Sequence, residues 1–298
     1  MNTPAGHGRT GPLARIRALF LDIDGTIAGH NAAVSPGVVG AIARARQHGC
    51  EVVLCTGRTR YRTLPIAEEI GPPLGYAITS NGGVLTHLGT GRLLYRHLLP
   101  IPIAVELVRT IRAAGADPFV YEDSDTPGLE GARVLYHPEA DTSSWDHYDP
   151  RYQPHAEILT DLPFQPVSVS AYGTPEVIRP LADHLRTSLA DRVSIVESGT
   201  GAAWGVELYV RGISKRTGLE ALAARLEVTR DEIMAIGDHI NDLEMLEWAG
   251  WGVAMGNAQP EVKTICDWVT DSLDNDGAAV AIEQFVLNGT QPDERRGP

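Results

Sequence analysis

Near its start the chain reads Leu19-Phe20-Leu21-Asp22-Ile23-Asp24-Gly25-Thr26. Residues 16–21 read as a strand buried on both faces, and this strand ends in two carboxylates one residue apart. Such a strand needs cover on both sides, which a parallel sheet flanked by helices provides. Charges leaving a core must be paired or bound to metal. In open α/β sheets, ligands sit at the carboxyl ends of the strands. The stretch therefore asks for an α/β fold and places a site near the beginning of the chain.

The following segments keep that rhythm. Ser35-Pro36 opens a helix over 35–47, with proline at the first helical position and Gly49 past the end. A second strand over 51–55 ends at Thr56-Gly57-Arg58, a helix follows to about residue 70, and a third strand over 75–79 ends at Ser80-Asn81-Gly82-Gly83. Strands alternating with helices predict a parallel sheet with right-handed crossovers. From 84 to 210 the strands alternate more and the loops lengthen. Strands are expected over 119–121, 133–136, 167–170, 193–196 and 205–209, with helices over 104–114 and 175–189. Residues 141–154, with Trp145, His147, Tyr148 and Tyr152 amid polar neighbours, read as a loop. After Gly212 the first rhythm resumes: a helix over 214–226, a strand over 233–236 ending at Gly237-Asp238, a helix over 241–248, short strands over 252–255 and 268–270, and a helix over 276–286. The expected fold class is α/β, a Rossmann-like parallel-sheet core (13–83 and 211–290) with an inserted α+β cap domain (84–210). Residues 1–12 and 291–298 are expected to be disordered tails, the first without the apolar run of a signal peptide.

Charge narrows the partners. A net charge of −13 argues against nucleic acid or an anionic membrane surface. It leaves room for a small phosphorylated metabolite, because a metal ion and a lysine can reverse the sign inside a cleft. No apolar run approaches membrane-spanning length. Cys50, Cys55 and Cys266 are scattered, without metal-ligand spacing or a disulfide framework, so a reducing cytoplasm is the expected location.

Four groups fall at strand or helix ends of the split core: Asp22 with Asp24, Thr56-Gly57, Lys215, and Asp238 with Asn241 and Asp242. Carboxylates converging with one lysine suit a hard divalent cation such as Mg²⁺. A hydroxyl, helix-start amides and a lysine suit phosphate oxygens. A carboxylate can form an aspartyl-phosphate, and a second one two residues on can protonate a leaving oxygen and activate water. Each alone has a plainer reading. Aspartate and glycine are common in turns, threonine caps helices, Arg58 reads as a solvated helix residue, and an isolated lysine belongs on the surface.

Taken in order, the stretches Asp22-Ile23-Asp24-Gly25-Thr26, Cys55-Thr56-Gly57-Arg58, Ser80-Asn81-Gly82-Gly83, Gly212-Ile213-Ser214-Lys215, Gly237-Asp238-His239-Ile240-Asn241-Asp242 and Gly252-Val253-Ala254-Met255-Gly256-Asn257-Ala258 resemble the haloacid dehalogenase superfamily. The similarity is to its Cof-type phosphatases, with a type IIB α/β cap between the second and third motifs. The resemblance implies Asp22 as nucleophile and metal ligand, and Asp24 as general acid/base whose backbone carbonyl also meets the metal. It implies Asp238 and Asp242 in the Mg²⁺ shell, and Ile23, Thr56, Gly57, Lys215 and Asn241 around the phosphate. An aspartate at position 24 favours phosphate esters over carbon–halogen bonds. His239 departs from the family pattern, which more often has a small residue there. Asp123, Asp125, Arg133 and His137 are further candidates for reaching substrate from the insertion. The implied activity is a Mg²⁺-dependent phosphatase for a small metabolite. The alternatives are a phosphosugar mutase of the phosphomannomutase branch and a non-catalytic sensor of a phosphorylated ligand.

Overall fold

The computed structural model describes residues 14–29, 33–71, 74–123, 133–140, 151–200 and 203–289. The first half of the core holds β1 (Ala18–Leu21), α1 (Pro36–Gln47), β2 (Glu51–Cys55), α2 (Arg60–Ile70), β3 (Tyr76–Thr79), β4 (Val84–His87) and β5 (Arg92–Arg96). The insertion carries α3 (Ile101–Ala113), β6 (Pro118–Tyr121), β7 (Val134–Tyr136), β8 (Tyr152–Pro154), β9 (Ser168–Gly173), α4 (Pro175–Leu189), β10 (Val193–Thr200) and β11 (Ala203–Val210). The chain then returns to the core through α5 (Lys215–Leu226), β12 (Ile233–Gly237), α6 (Leu243–Trp248), β13 (Trp251–Ala254), α7 (Pro260–Ile265), β14 (Trp268–Val269) and α8 (Gly277–Ile282).

The core sheet runs β14-β13-β12-β1-β2-β3-β4-β5. Strands β14 to β3 are parallel to one another, while β4 and β5 add an antiparallel edge. β1 lies at its centre with every residue buried. Its side chains serve both faces, and each large one removed from water contributes about 1.5–3 kcal/mol. Ser35 caps α1 by accepting the Val38 N–H, with Pro36 at the first helical position. The fold is the α/β class the sequence implies.

The insertion forms a second sheet, in the order β10-β11-β9-β6-β7-β8. It is antiparallel except for the pairing of β7 with β8. Its apolar face packs with α3 and α4, where Val120, Val169, Ala171, Val206 and Leu208 are buried among Leu107, Ile111, Leu181 and Leu185.

Several expectations need correction. The segment 84–96, assigned to the insertion, is a hairpin on the core sheet. The turn Ser80–Gly82 is too tight to leave that sheet, and Val84, Leu85 and Thr86 bury themselves against it. Tyr152–Pro154 is a strand rather than loop, because Tyr152 finds Val134 as a parallel partner. The helix over 241–248 starts as a 3₁₀ turn at Ile240–Asp242, and the last one widens into a π turn at Glu283–Leu287. The expected tails over 1–12 and 291–298, and residues Asp125, Trp145, His147 and Tyr148, lie outside the described residues.

Candidate active site

Parallel pairing sets the carboxyl ends of β12, β1 and β2 side by side, with Leu21 level with Ile236 on one flank and Leu54 on the other. The residues that follow are Asp22, Gly237-Asp238 and Cys55-Thr56, so groups far apart in the chain meet at one sheet edge. Lys215, the first residue of α5, is buried beneath them. Its Nζ donates to Asp22 Oδ1 at 2.6 Å and to Asp242 Oδ1 at 2.5 Å. The other Asp242 oxygen accepts the backbone N–H groups of Asp238 and His239, at 3.1 and 3.0 Å, and so fixes the turn after β12. Thr26 Oγ1 donates to Asp238 Oδ1 at 3.1 Å. Gly25, at φ +84°, leaves room for the Asp238 carboxylate where a Cβ would otherwise stand.

This cluster is short of positive charge. Burial pushes the Asp22 carboxyl well above the usual range; Lys215 pulls it back, while Asp242 and Asp238 push it further up. Burial and the Asp242 charge push Asp238 up to about 7. Burial works against the Lys215 ammonium, but Asp22 and Asp242 overcome it and hold its pKa above that of an ordinary lysine. Oxygens of Asp22, Asp238 and Asp242 lie within 4.8 Å of one another. Three carboxylates around one ammonium leave an excess of negative charge, and the all-oxygen donor set fits a hard cation such as Mg²⁺.

The Asp24 carboxylate lies outside that trio. Arg58 grips it with two hydrogen bonds, Nε to Oδ2 at 2.8 Å and Nη2 to Oδ1 at 2.6 Å. Arg58 is thus no solvated helix residue; its side chain is 13% exposed and lies before the start of α2. Of the residues expected around the metal, Asp24 does not bring its carboxylate to the trio. The Thr56 hydroxyl accepts the Arg58 N–H at 3.1 Å.

Asp22, Asp24, Thr56, Gly57, Asp238 and Asn241 all line one cavity of about 930 Å³. Lys215 and Asp242 lie behind its wall. The Ile23 side chain is buried in the core, which leaves only its backbone for a phosphate contact. His239 lines the cavity beside Asn241, and burial lowers the pKa of its imidazole.

The roof of the cavity is the second face of the inserted sheet. Tyr121, Tyr152, Tyr172, Glu207 and Tyr209 look onto it together with Ser168 and Ser170. Sequence reasoning did not assign these residues to the site, although the signal was present. On β9, Ser168, Ser170 and Tyr172 alternate with buried Val169 and Ala171. On β11, Glu207 and Tyr209 alternate with Val206 and Leu208. A period of two marks a polar face, but not what that face looks at. The candidates chosen from the insertion lie elsewhere. Asp123 forms a buried ion pair with Arg60 at 2.8 Å. Arg133 bonds Glu122 at 2.9 Å and lies over the Phe164 ring. His137 Nδ1 accepts the Glu139 N–H.

Comparisons with known proteins identify the family. The family model for haloacid dehalogenase-like hydrolases matches residues 19–282. The putative phosphatase YkrA of Bacillus subtilis is 30% identical over 279 residues, covering 91% of this chain and 98% of that protein. Phosphatase YwpJ of the same organism is 29% identical over 293 residues, covering 91% and 100%. A solved haloacid dehalogenase-like hydrolase from Bacteroides thetaiotaomicron superposes with a TM-score of 0.76 at 28% identity, over 91% of this chain and 100% of that one. The subclass IIB sugar phosphatase BT4131 shares the fold, with a TM-score of 0.71 at 21% identity over 90% and 98%.

Proposed function

The chain belongs to the haloacid dehalogenase-like hydrolases and is a phosphatase, and we propose that it hydrolyses a small, hydroxyl-rich phosphate ester, such as a sugar phosphate, through an aspartyl-phosphate on Asp22. One observation carries the reading: a carboxylate at a cavity wall, Asp22, hydrogen-bonded from behind by a buried ammonium that a second carboxylate also holds. Lys215 fixes the orientation of Asp22, so that one oxygen faces the cavity without rotational search.

In the proposed reaction an Asp22 oxygen forms a bond to phosphorus as the ester P–O bond breaks. Asp24, which must leave the Arg58 grip and enter the step protonated, gives its proton to the departing alkoxide. Asp24 then takes a proton from the water that attacks the aspartyl-phosphate, which releases inorganic phosphate and restores Asp22. Thr56, the Gly57 amide and Asn241 hold the equatorial oxygens, while Lys215, expected there from the sequence, acts from behind the wall through Asp22. Asp22, Asp238 and Asp242, with the Asp24 carbonyl, would hold Mg²⁺, which when bound offsets negative charge on the phosphoryl group. Preorganised donors of this kind commonly supply the largest share of the rate.

The roof supports the choice of leaving group. Phenol hydroxyls, serine hydroxyls and the Glu207 carboxylate offer many partners for substrate hydroxyls. The name sugar phosphatase belongs to BT4131, which shares the fold. Among the described residues no helix is long and apolar enough to cross a membrane, and all three cysteines are free and buried.

The test is a phosphate-release screen over a metabolite panel with Mg²⁺. Turnover of sugar phosphates that stops on adding EDTA is the expected result. Turnover indifferent to EDTA removes the metal from the account. Interconversion of sugar 1- and 6-phosphates without net release of phosphate would make the chain a mutase instead.

A further inference from the structure

The stretch Ser80-Asn81-Gly82-Gly83 has no part in the chemistry above, yet Asn81 sits where the two sheets meet. It is 2% exposed and lies at φ +52°, a left-handed conformation that asparagine adopts more readily than most residues. Its Nδ2 donates upward to Glu207 Oε2 at 2.9 Å and to the Tyr209 hydroxyl at 3.1 Å. Its Oδ1 accepts from Asn241 Nδ2 at 2.9 Å. Glu207 also accepts from the Tyr209 hydroxyl at 2.7 Å and from the Tyr172 hydroxyl at 3.2 Å.

The direction of this chain follows from donor chemistry. A primary amide can be turned either way, whereas an ionised carboxylate only accepts. Two tyrosine hydroxyls already donate to Glu207, which as a carboxylate has no proton of its own to give, so Asn81 must offer it an N–H. That leaves the Asn81 carbonyl oxygen for Asn241, which must answer with its own NH₂ group. An amide nitrogen carries two N–H bonds. One is used on Asn81; Asn241 also hydrogen-bonds the His239 side chain, a bond that its oxygen can accept, and the second N–H remains for the cavity that Asn241 lines.

We propose that Asn81 is a positioning residue: Glu207 of the inserted sheet sets its orientation, and Asn81 in turn aims an Asn241 N–H at the substrate phosphate. This rests on the reading that Asn241 contacts phosphate. The grip on phosphate is then complete only with the inserted sheet seated on the core, which couples the roof to the phosphate site through two side chains.

The test uses full-length, Mg²⁺-loaded enzyme with para-nitrophenyl phosphate as substrate and inorganic phosphate as competitive inhibitor. Inorganic phosphate has no leaving group, so the roof's contacts with that part of a substrate do not enter. Asn81→Asp sets two carboxylates face to face and should weaken phosphate inhibition by about tenfold or more. Adding Glu207→Gln restores the chain in a new form: the amide introduced at position 207 would donate to the carboxylate introduced at position 81, which would still accept from Asn241. Phosphate should therefore inhibit the double variant no more weakly than Glu207→Gln alone, a non-additivity that a purely structural role would not give. Additive losses, in variants that melt like the wild type, overturn the relay. Should Asn81→Asp fail to fold, Glu207→Leu, which removes every acceptor at that position, decides by itself: weaker phosphate inhibition at an unchanged melting temperature supports the relay, and unchanged inhibition overturns it. Asn241→Ala separates the two levels. If it leaves phosphate inhibition intact, the phosphate contact itself is wrong; if it weakens inhibition while the double variant shows no recovery, only the relay is wrong.

Discussion

Lys215 is the residue on which both the stability and the chemistry of the site converge, and Lys215→Met isolates its charge. Methionine keeps most of the volume of the side chain and removes the ammonium that bonds Asp22 and Asp242 at 2.6 and 2.5 Å. Breaking a buried ion pair by deleting one partner costs about 3–5 kcal/mol. In a chain of this size each kcal/mol moves the melting temperature by roughly 2–4 °C, so a fall of roughly 6–20 °C is expected near neutral pH. The pH dependence has a definite sign. The folded-state pKa of Asp22 already lies above its ordinary value, so the folded state binds the proton more readily and stability falls as pH rises through that window. Without Lys215, the main influence holding that pKa down is gone, so the window widens upward. The deficit of the variant should therefore be large at about pH 8 and shrink at about pH 5, where the carboxyls can protonate. Paired thermal melts in EDTA at the two pH values measure it. Adding Mg²⁺ should recover part of the loss by binding the folded form. Equal melting temperatures for variant and wild type at the higher pH would refute the reasoning.

Asp24→Asn should slow steady-state hydrolysis of an alkyl phosphate by about 10²–10⁴-fold, and an unchanged rate would remove Asp24 from proton transfer. With Asp238 at about 7, protons compete with the cation, so Mg²⁺ affinity measured by titration calorimetry should weaken as pH falls below that value; a flat profile would exclude Asp238 as a ligand. Gly25→Ala should cost about 1–2 kcal/mol for its left-handed backbone and weaken Mg²⁺ binding as well, because the new Cβ would press on the Asp238 carboxylate. Wild-type Mg²⁺ affinity in that variant would count against Asp238 as part of the metal site.

Much of this was legible in residues whose signals are local. Apolar runs in β1, β2 and β12 declare strands covered on both faces, and Ser35-Pro36 declares the start of α1 to the residue. The motif aspartates stand where strands end, so their convergence follows once the sheet is parallel. What stayed hidden depends on partners distant in the chain. The β4–β5 hairpin follows the change of rhythm at residue 84, yet its hydrogen bonds attach it to β3. Arg58 looks like a solvated helix residue until its partner 34 residues away, Asp24, is known. Asn81 finds Glu207 across 126 residues, a distance at which no periodicity speaks. The roof tyrosines were visible as a polar face, but only the packing of one sheet over the other gives that face a cavity to look into.

The claim at the centre of the account is a covalent bond between phosphorus and Asp22. Acid-quenched single turnovers followed by peptide mass spectrometry test it directly. The account predicts a phosphoryl group on the peptide that contains Asp22, formed and lost at rates compatible with turnover, and absent from a folded, inactive Asp22→Asn variant. Wild-type turnover by Asp22→Asn, or a phosphoryl group on another residue, would contradict it.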